Sequence, residues 1–224
     1  MTPAELTGKT RQHILQVQEP RFAAAPLAVR AFIDLRQKAR KEGIELGVFS
    51  GFRDFESQAR IWRLKLTGQR PLYDTQGKVL DFESLSPEAL VLAILRWSAL
   101  PGASRHHWGS ELDLIDLAAL PPGYQVQLLP EEYANGGVFE KLNRWLDHNL
   151  SPFGFFRPYA RDLGGVAPEP WHVSFAEISG PALACLTPQL VAQAWDTAEL
   201  PGREWVLPQL DDLFERFVKN ITLP

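Results

Sequence analysis

The stretch SRHHWGSELDLID, residues 104–116, joins two adjacent histidines to an apolar segment that carries carboxylates. Its second half, LDLID at 112–116, alternates in the manner of a β-strand, which places Asp113 on the opposite face from the leucines beside it. His106 and His107 stand just before this strand. The stretch therefore predicts either a polar loop that enters a strand or one half of a metal site.

A second strand, WHVSF at 171–175, can supply the other half of such a site. By the two-residue period its three apolar side chains share one face, and His172 shares the other face with Ser174. Glu169 precedes this strand, and Pro170 favours an extended rather than a helical conformation there. Zinc suits two imidazoles and one carboxylate, with a fourth position open to solvent. The two strands predict such a site, and the alternative is an ordinary hydrogen-bonded strand histidine.

Helices and short strands alternate irregularly along the rest of the chain, which favours an α+β fold over a doubly wound sheet. Periodicity and capping signals predict helices at 26–42, 55–66, 87–100, 138–150, 187–195 and 204–219, and a buried strand within 44–52. Residues 67–85 are polar and rich in turn formers, so a surface excursion is expected there. We expect a small antiparallel sheet flanked by helices, in one domain over residues 1–180 with a helical appendage over 181–224 packed on it.

The composition excludes several classes of function. The net charge is −4 and no concentrated basic pattern occurs, so nucleic-acid binding is not expected. No apolar run is long enough to span a membrane, and the start, MTPAELTGKTRQHILQ, lacks the apolar core of a signal peptide. A cytoplasmic location is expected, or a periplasmic one if a leader has been removed. The single cysteine, Cys185, excludes an internal disulfide, and its apolar neighbours predict that it is buried.

Three motifs in this order make the chain resemble the VanY-type zinc D-alanyl-D-alanine carboxypeptidases, within the superfamily of lysostaphin, D-Ala-D-Ala peptidases and Sonic hedgehog. SGFRDFESQ at 50–58 resembles the family's S-x-x-R…Q motif, SRHHWGSELD at 104–113 its S-x-H-x-x-G-x-x-x-D motif, and EPWH at 169–172 its E-x-W-H motif. WLDHNLSPFGFFRPY at 145–159 resembles the segment that leads into the last motif. The resemblance covers about residues 50–175 and implies a hedgehog/DD-peptidase-like fold.

The resemblance also implies a ligand set. In the family pattern the ligand histidine stands seven positions before the aspartate, which selects His106 rather than His107. One zinc ion would then be held by His106, Asp113 and His172, with Glu169 as the general base. His107 would be a neighbour of the ligands, a group that supports them, or a loop residue.

The implied activity is removal of a terminal D-amino acid from a peptidoglycan-type peptide. The family's equivalent of Arg53 faces the substrate, where a guanidinium can hold a carboxylate or a developing oxyanion. Ser50, Gln58 and Ser104 are further candidates for substrate binding. Two alternatives share the scaffold: an endopeptidase that cuts within a wall peptide, and a non-catalytic zinc-containing binding module, which would have no need of Glu169.

Two positions depart from the family pattern. Asp54 stands where the family usually has a serine, and Glu111 stands where it often has a small residue. By strand parity Glu111 shares the face of Asp113 if the strand begins that early. In that case we expect Glu111 either to alter the substrate preference or to turn outward.

Overall fold

The computed structural model describes residues 1–74 and 77–224, and it has a central antiparallel sheet with helices packed against it. This arrangement confirms the α+β prediction. The strands are β1 (Leu15–Val17), β2 (Phe22–Ala24), β3 (Leu46–Ser50), β4 (Glu111–Asp116), β5 (Phe155–Phe156) and β6 (His172–Phe175). β1 and β2 form a separate hairpin, and the main sheet has the order β3-β4-β6-β5. β4 and β6 are therefore its interior strands.

The register of the main sheet brings polar residues of different motifs together. Asp113 of β4 pairs with His172 of β6, and Glu111 pairs with Ser174. On the other side of β4 the register shifts after Val48, so that Ser50 at the end of β3 pairs with Asp113. Such bulges often re-aim side chains next to functional sites. The start of the first motif is thereby placed beside the second motif.

The α-helices are α1 (Pro3–Leu6), α2 (Pro26–Arg40), α3 (Phe55–Leu66), α4 (Pro87–Leu95), α5 (Pro130–Tyr133), α6 (Glu140–Asn149), α7 (Ala176–Cys185), α8 (Pro188–Asp196), α9 (Arg203–Val206) and α10 (Leu210–Phe214). A π-helical turn, Glu215–Lys219, follows α10. α3 begins at its predicted cap, because the Asp54 side chain accepts a hydrogen bond from Ser57 N–H at 2.8 Å. No helix among residues 1–74 and 77–224 has the length and apolar character needed to cross a bilayer.

Two predicted helices differ from the structure, and one helix was not predicted. α4 ends at Leu95, because the carbonyl of Arg96 accepts a hydrogen bond from Ala167 N–H instead of continuing the helix. The pattern at 204–219 is divided around Pro208, which cannot donate within a helix. α7 was not expected, since Gly180-Pro181 is typical of a turn.

The surface excursion predicted at 67–85 holds an isolated bridge between Tyr73 and Val79 and a short 3-10 turn, Phe82–Ser84. Residues 75 and 76 of that stretch lie outside the described residues. Cys185 is exposed, so its predicted burial was wrong. It ends α7 beside Leu186, and that neighbour is the one that enters the core.

Two apolar clusters hold the layers together. One lies between the sheet and helices α2 and α6 and contains Phe32, Leu142 and Val173. The other joins α3 and α4 to the C-terminal helices, where the indole rings of Trp62 and Trp195 meet at 5.7 Å. The apolar face predicted for β6 is thus confirmed as a core face. The division of the chain near residue 180 stays a prediction.

Phe32 is expected to be a main contributor to stability. Its ring is fully buried and meets the Phe22 ring edge-on at 5.0 Å. We expect Phe32→Ala to lower the free energy of unfolding by about 3–5 kcal/mol, because the truncation leaves a cavity under the sheet. The matched control is Leu27→Ala on the same helix, whose side chain is 47% exposed and whose loss should cost under about 1 kcal/mol. Urea unfolding of both variants measures the difference, and equal losses would contradict this core assignment.

Candidate metal centre and active site

Three side chains from two distant motifs meet at one point of the sheet. One potential ligand atom from each of His106, Asp113 and His172 lies within 4.8 Å of the other two, and all three residues are buried. His106 comes from the 3-10 turn Arg105–Trp108 that precedes β4. Two imidazole nitrogens and one carboxylate oxygen form a donor set suited to a divalent transition metal such as zinc. These residues are the ones that the family resemblance implies.

The tautomer of His106 is fixed by the backbone. Its Nδ1 lies 2.7 Å from the carbonyl oxygen of Gly51, which can only accept, so Nδ1 carries the hydrogen. Nε2 then has a free lone pair and lies 3.5 Å from Asp113 Oδ2. Burial lowers the pKa of His106 to about 3, so the ring is neutral. A carbonyl partner of this kind is typical of metal-binding histidines.

His172 lies between two carboxylates. Its Nδ1 is 3.1 Å from Asp113 Oδ1, and its Nε2 is 2.8 Å from Glu111 Oε2. Burial lowers the pKa of His172, but the hydrogen bonds with Asp113 and Glu111 raise it by more than this. The resulting pKa is about 10. The site therefore favours a positive charge on the side of Nδ1. A divalent cation would satisfy the same demand in place of the Nδ1 proton, so these residues fit a metal ion.

Glu111 is completely buried and has several donors. Its Oε1 accepts hydrogen bonds from Ser110 at 2.8 Å and from Ser174 at 2.7 Å, and Arg105 Nη2 lies 3.3 Å from the same oxygen. Burial raises the pKa of Glu111, but Arg105 and His172 outweigh it and bring the pKa to about 2. The carboxylate is therefore ionised and fully paired.

The position of Glu111 excludes one of the two alternatives left by the sequence, and the effect of Glu111 on substrate preference stays a prediction. β4 begins at Glu111, so this residue shares the face of Asp113, as parity predicts. The side chain does not turn outward, because Arg105 folds back over it and supplies the opposite charge. Its Oε2 contacts the Nε2 side of His172. It thus supports a candidate ligand from behind.

Arg53 is held rigidly at the edge of the site. Its guanidinium donates to Gln58 Oε1 at 2.8 Å and to Ser50 Oγ at 2.9 Å. Gln58 is 1% exposed and also donates to the carbonyl of Ala99 at 2.7 Å. Ser50 and Gln58 thus orient Arg53, and their predicted contact with a substrate stays a prediction. Ser104 lines the cleft itself.

His107 supports the loop that carries Arg53. Its ring is fully buried, and its Nε2 accepts a hydrogen bond from Gly102 N–H at 3.1 Å. Nδ1 therefore carries the hydrogen and donates to the carbonyl of Arg53 at 2.6 Å. Burial lowers the pKa of His107 to about 4, so the ring is neutral. The second histidine of the pair is thus a structural support and is not one of the three candidate ligands.

Glu169 lies beside the metal centre at the end of an extended segment. Its backbone N–H donates to the carbonyl of Tyr159 at 3.0 Å, and its Oε2 is 3.5 Å from His172 Nδ1. Burial raises the pKa of Glu169 to about 7, and Asp113 adds to this, whereas His172 and Lys65 oppose it. A carboxylate with a pKa near neutrality is suited to exchange protons at physiological pH.

A cleft of about 290 Å³ opens over these groups. Its walls include Trp171 and Tyr159, whereas Trp108 lies in the core and donates to the carbonyl of Leu6 at 3.1 Å. Leu128 also lines the cleft and has a φ of 56°, a left-handed conformation that is uncommon for a branched residue. The backbone at this edge of the cleft is thus held in a strained conformation.

Sequence reasoning missed two basic residues of the cleft, Lys65 and Arg70. Lys65 was assigned to a helix without a role. The signal that would have found it is the spacing of Gln58, Ile61 and Lys65, which places all three on one face of α3.

The chain matches the sequence model of a known family. The model described as VanY, D-alanyl-D-alanine carboxypeptidase, matches residues 23–178. The chain belongs to the VanY family. The resemblance to VanY-type D-alanyl-D-alanine carboxypeptidases, inferred from the three motifs, is therefore confirmed.

Relatives and solved structures agree with this membership. The chain is 30% identical over 148 residues to a D-alanyl-D-alanine carboxypeptidase of Enterococcus faecalis, covering 65% of this chain and 45% of the relative. It is 35% identical over 121 residues to an uncharacterised protein of Haemophilus influenzae, covering 53% of this chain and 92% of the relative.

The fold is shared with two solved VanY structures. VanYB in complex with D-Ala-D-Ala has a TM-score of 0.52 and 23% identity, covering 83% of this chain and 89% of that chain. A VanY D,D-pentapeptidase variant from the VanB-type resistance cassette, in complex with Zn(II), has a TM-score of 0.51 and 24% identity, covering 88% and 92%.

His107 is expected to matter for stability. His107→Ala removes a buried ring and leaves Gly102 N–H and the carbonyl of Arg53 without their partner. We expect the free energy of unfolding to fall by about 2–4 kcal/mol. His148→Ala, at an exposed position of α6, is the control and should change it by less than about 0.5 kcal/mol. Urea unfolding compares the two, and a His107 variant as stable as the control would contradict the supporting role.

Proposed function

We propose that this protein is a zinc-dependent carboxypeptidase that hydrolyses the terminal peptide bond of peptidoglycan-type peptides ending in D-alanine. The observation that carries the proposal is the convergence of His106, Asp113 and His172 beside Glu169 in one cleft. VanYB binds D-Ala-D-Ala and a related VanY binds Zn(II), and both share this fold, which supports the choice of substrate and metal.

The chain supplies the ligands and the proton acceptor. His106, Asp113 and His172 would hold one zinc ion. When bound, zinc polarises the scissile carbonyl and lowers the pKa of water to about 7. Glu169 would accept the proton of the attacking water and pass it to the leaving amine. Its pKa of about 7 allows both directions of transfer near neutral pH.

Arg53 would orient the substrate at the same site. Its guanidinium is fixed by Ser50 and Gln58 and lines the cleft. We infer that it holds the terminal carboxylate or the oxyanion that develops during hydrolysis. Ser104, on the cleft wall, would add a hydroxyl to that end of the site.

Glu169→Gln is the decisive variant. We expect it to keep about one zinc per chain and to lose roughly 10²- to 10⁴-fold in kcat, because the amide cannot accept the proton. Glu177→Gln, at an exposed position of α7, is the matched control and should retain full activity. Elemental analysis measures the zinc. Mass spectrometry of products from muropeptides ending in one or two D-alanines, with and without chelator, measures turnover.

The products distinguish the candidate functions. Loss of one terminal residue supports a carboxypeptidase, and internal fragments would support the endopeptidase. Protein that contains zinc but hydrolyses none of these peptides would support a binding module. Full activity of Glu169→Gln would refute the assigned proton transfer, and full activity after chelation would refute the role of zinc.

Glu111→Gln tests the support behind His172. The Glu111 carboxylate accepts from Nε2 and so directs the Nδ1 lone pair of His172 toward the other ligands. A glutamine can present its NH₂ instead and leaves Arg105 without its counter-charge. We expect zinc affinity, measured by competition with a chromogenic chelator, to fall about 10- to 100-fold. Glu177→Gln should bind zinc as the unaltered chain does, and equal affinity in the two variants would contradict the supporting role.

A further inference from the structure

Besides the carboxylates of Asp113 and Glu169, the cleft is lined by three cationic side chains that contact no carboxylate among the described residues. Arg53, Lys65 and Arg70 all line it. Within the part of the chain that the structure describes, no Asp or Glu oxygen lies within 4.0 Å of their charged nitrogens. Basic side chains that line a cleft without carboxylate partners attract an anionic ligand.

Lys65 is the least expected of these groups. It lies on the face of α3 that also carries Gln58 and Ile61, and its ammonium donates to Ser98 Oγ at 2.8 Å. The pKa of Lys65 is lowered to about 8. Burial is the main cause, Arg70 and Arg53 act in the same direction, and Glu169 opposes them. A partly desolvated ammonium with a neutral hydroxyl as its partner is costly, unless a ligand supplies the missing negative charge.

Arg70 strengthens the charge at this end of the cleft. It follows the end of α3, where its backbone N–H donates to the carbonyl of Leu64 at 3.0 Å. Its guanidinium lines the same cleft and is close enough to Lys65 to depress the pKa of that ammonium. The two cations thus share one region.

Lys65 lies farther along α3 than the residue that holds Arg53. Gln58, which holds Arg53, and Lys65 are seven residues apart on α3, and a helix rises about 1.5 Å per residue, so they are about 10 Å apart along the axis. A peptide covers about 10 Å in three extended residues, so an acidic group near the third residue from the C-terminus would reach Lys65.

We propose that Lys65 and Arg70 form a second anion-binding site in the cleft, which takes a carboxylate on the residue that precedes the terminal pair of the substrate. This inference rests on the proposed function, and it narrows the substrate class to peptides with an acidic group in addition to their C-terminal carboxylate. With the terminal carboxylate on Arg53, which is one of the two roles inferred for it above, Lys65 and Arg70 hold the second carboxylate.

Three peptides of matched length test this site. They are N-acetyl-X-D-Ala-D-Ala with X as norleucine, 2-aminoadipate or lysine, whose side chains are neutral, acidic and basic. We expect kcat/KM for the acidic peptide to exceed that for the neutral one by about five- to tenfold, mainly through KM, and the basic peptide to be the poorest. Added salt should reduce the preference.

Substitutions assign the preference to residues. Lys65→Met should bring the ratio of acidic to neutral peptide close to one, and Arg70→Met should reduce it. Lys41→Met removes one charge from the exposed end of α2, outside the cleft, and should leave the ratio unchanged. Raising the pH from 7 to 9 should lower the ratio in the unaltered chain, because Lys65 loses its charge near pH 8, and should not alter it in Lys65→Met.

Binding provides a readout that does not depend on hydrolysis. Calorimetry with zinc-loaded Glu169→Gln should show the same order of affinities for the three peptides. If no peptide is hydrolysed but the acidic one binds most tightly through Lys65, the proposed function fails and the anion site stands. Equal affinities for the acidic and neutral peptides, or an unchanged ratio in Lys65→Met, would overturn the inference.

Discussion

The antiparallel pairing of β4 with β6 is the constraint on which the rest of the structure depends. It sets Asp113 opposite His172 and Glu111 opposite Ser174, so four polar side chains project from one face of two interior strands. A slip of one residue would turn this set into the apolar layer above α2 and α6. The buried Val173 on the opposite face of β6 fixes the register from the other side.

The polar face is stable because its charges are balanced within the sheet. An ionised carboxylate is costly to bury unless donors surround it. Glu111 meets this condition through Arg105, Ser110 and Ser174, which leaves its second oxygen for His172. The metal centre therefore has a rigid layer behind it, in which the orientation of a ligand is set by a salt bridge that solvent does not reach.

The alternation of polar and apolar side chains along β4 and β6 could be predicted from the sequence, because it follows from the two-residue period of any single strand. The same period placed Glu111 on the face of Asp113. It could not show that Glu111 is buried, since that depends on Arg105 folding back across the strand. The role of His107 was equally out of reach, because its partners, Gly102 and Arg53, lie in separate loops.

Other differences arise where local signals compete with packing. Gly180-Pro181 is typical of a turn, yet α7 continues through it because Ala182 and Leu186 enter the core shared with α3 and α4. The sequence places Lys65 in a helix and assigns it no role. Only the packing of α3 against the segment that carries Ser98 turns it into the cleft.

α3 connects the end of the cleft near Arg53 with the end near Lys65, and the cap at Asp54 holds the start of the helix in place. Asp54 accepts from Ser57 N–H, a task that serine performs equally well, so this departure from the family pattern keeps the helix start in place. Arg53 immediately precedes that cap, and Lys65 follows near the end of the same helix. Because a helix is nearly rigid over this length, the cap at Asp54 fixes how far the backbone of Lys65 lies from the helix start that follows Arg53. Any ligand that contacts both Arg53 and Lys65 must span the separation between their side chains.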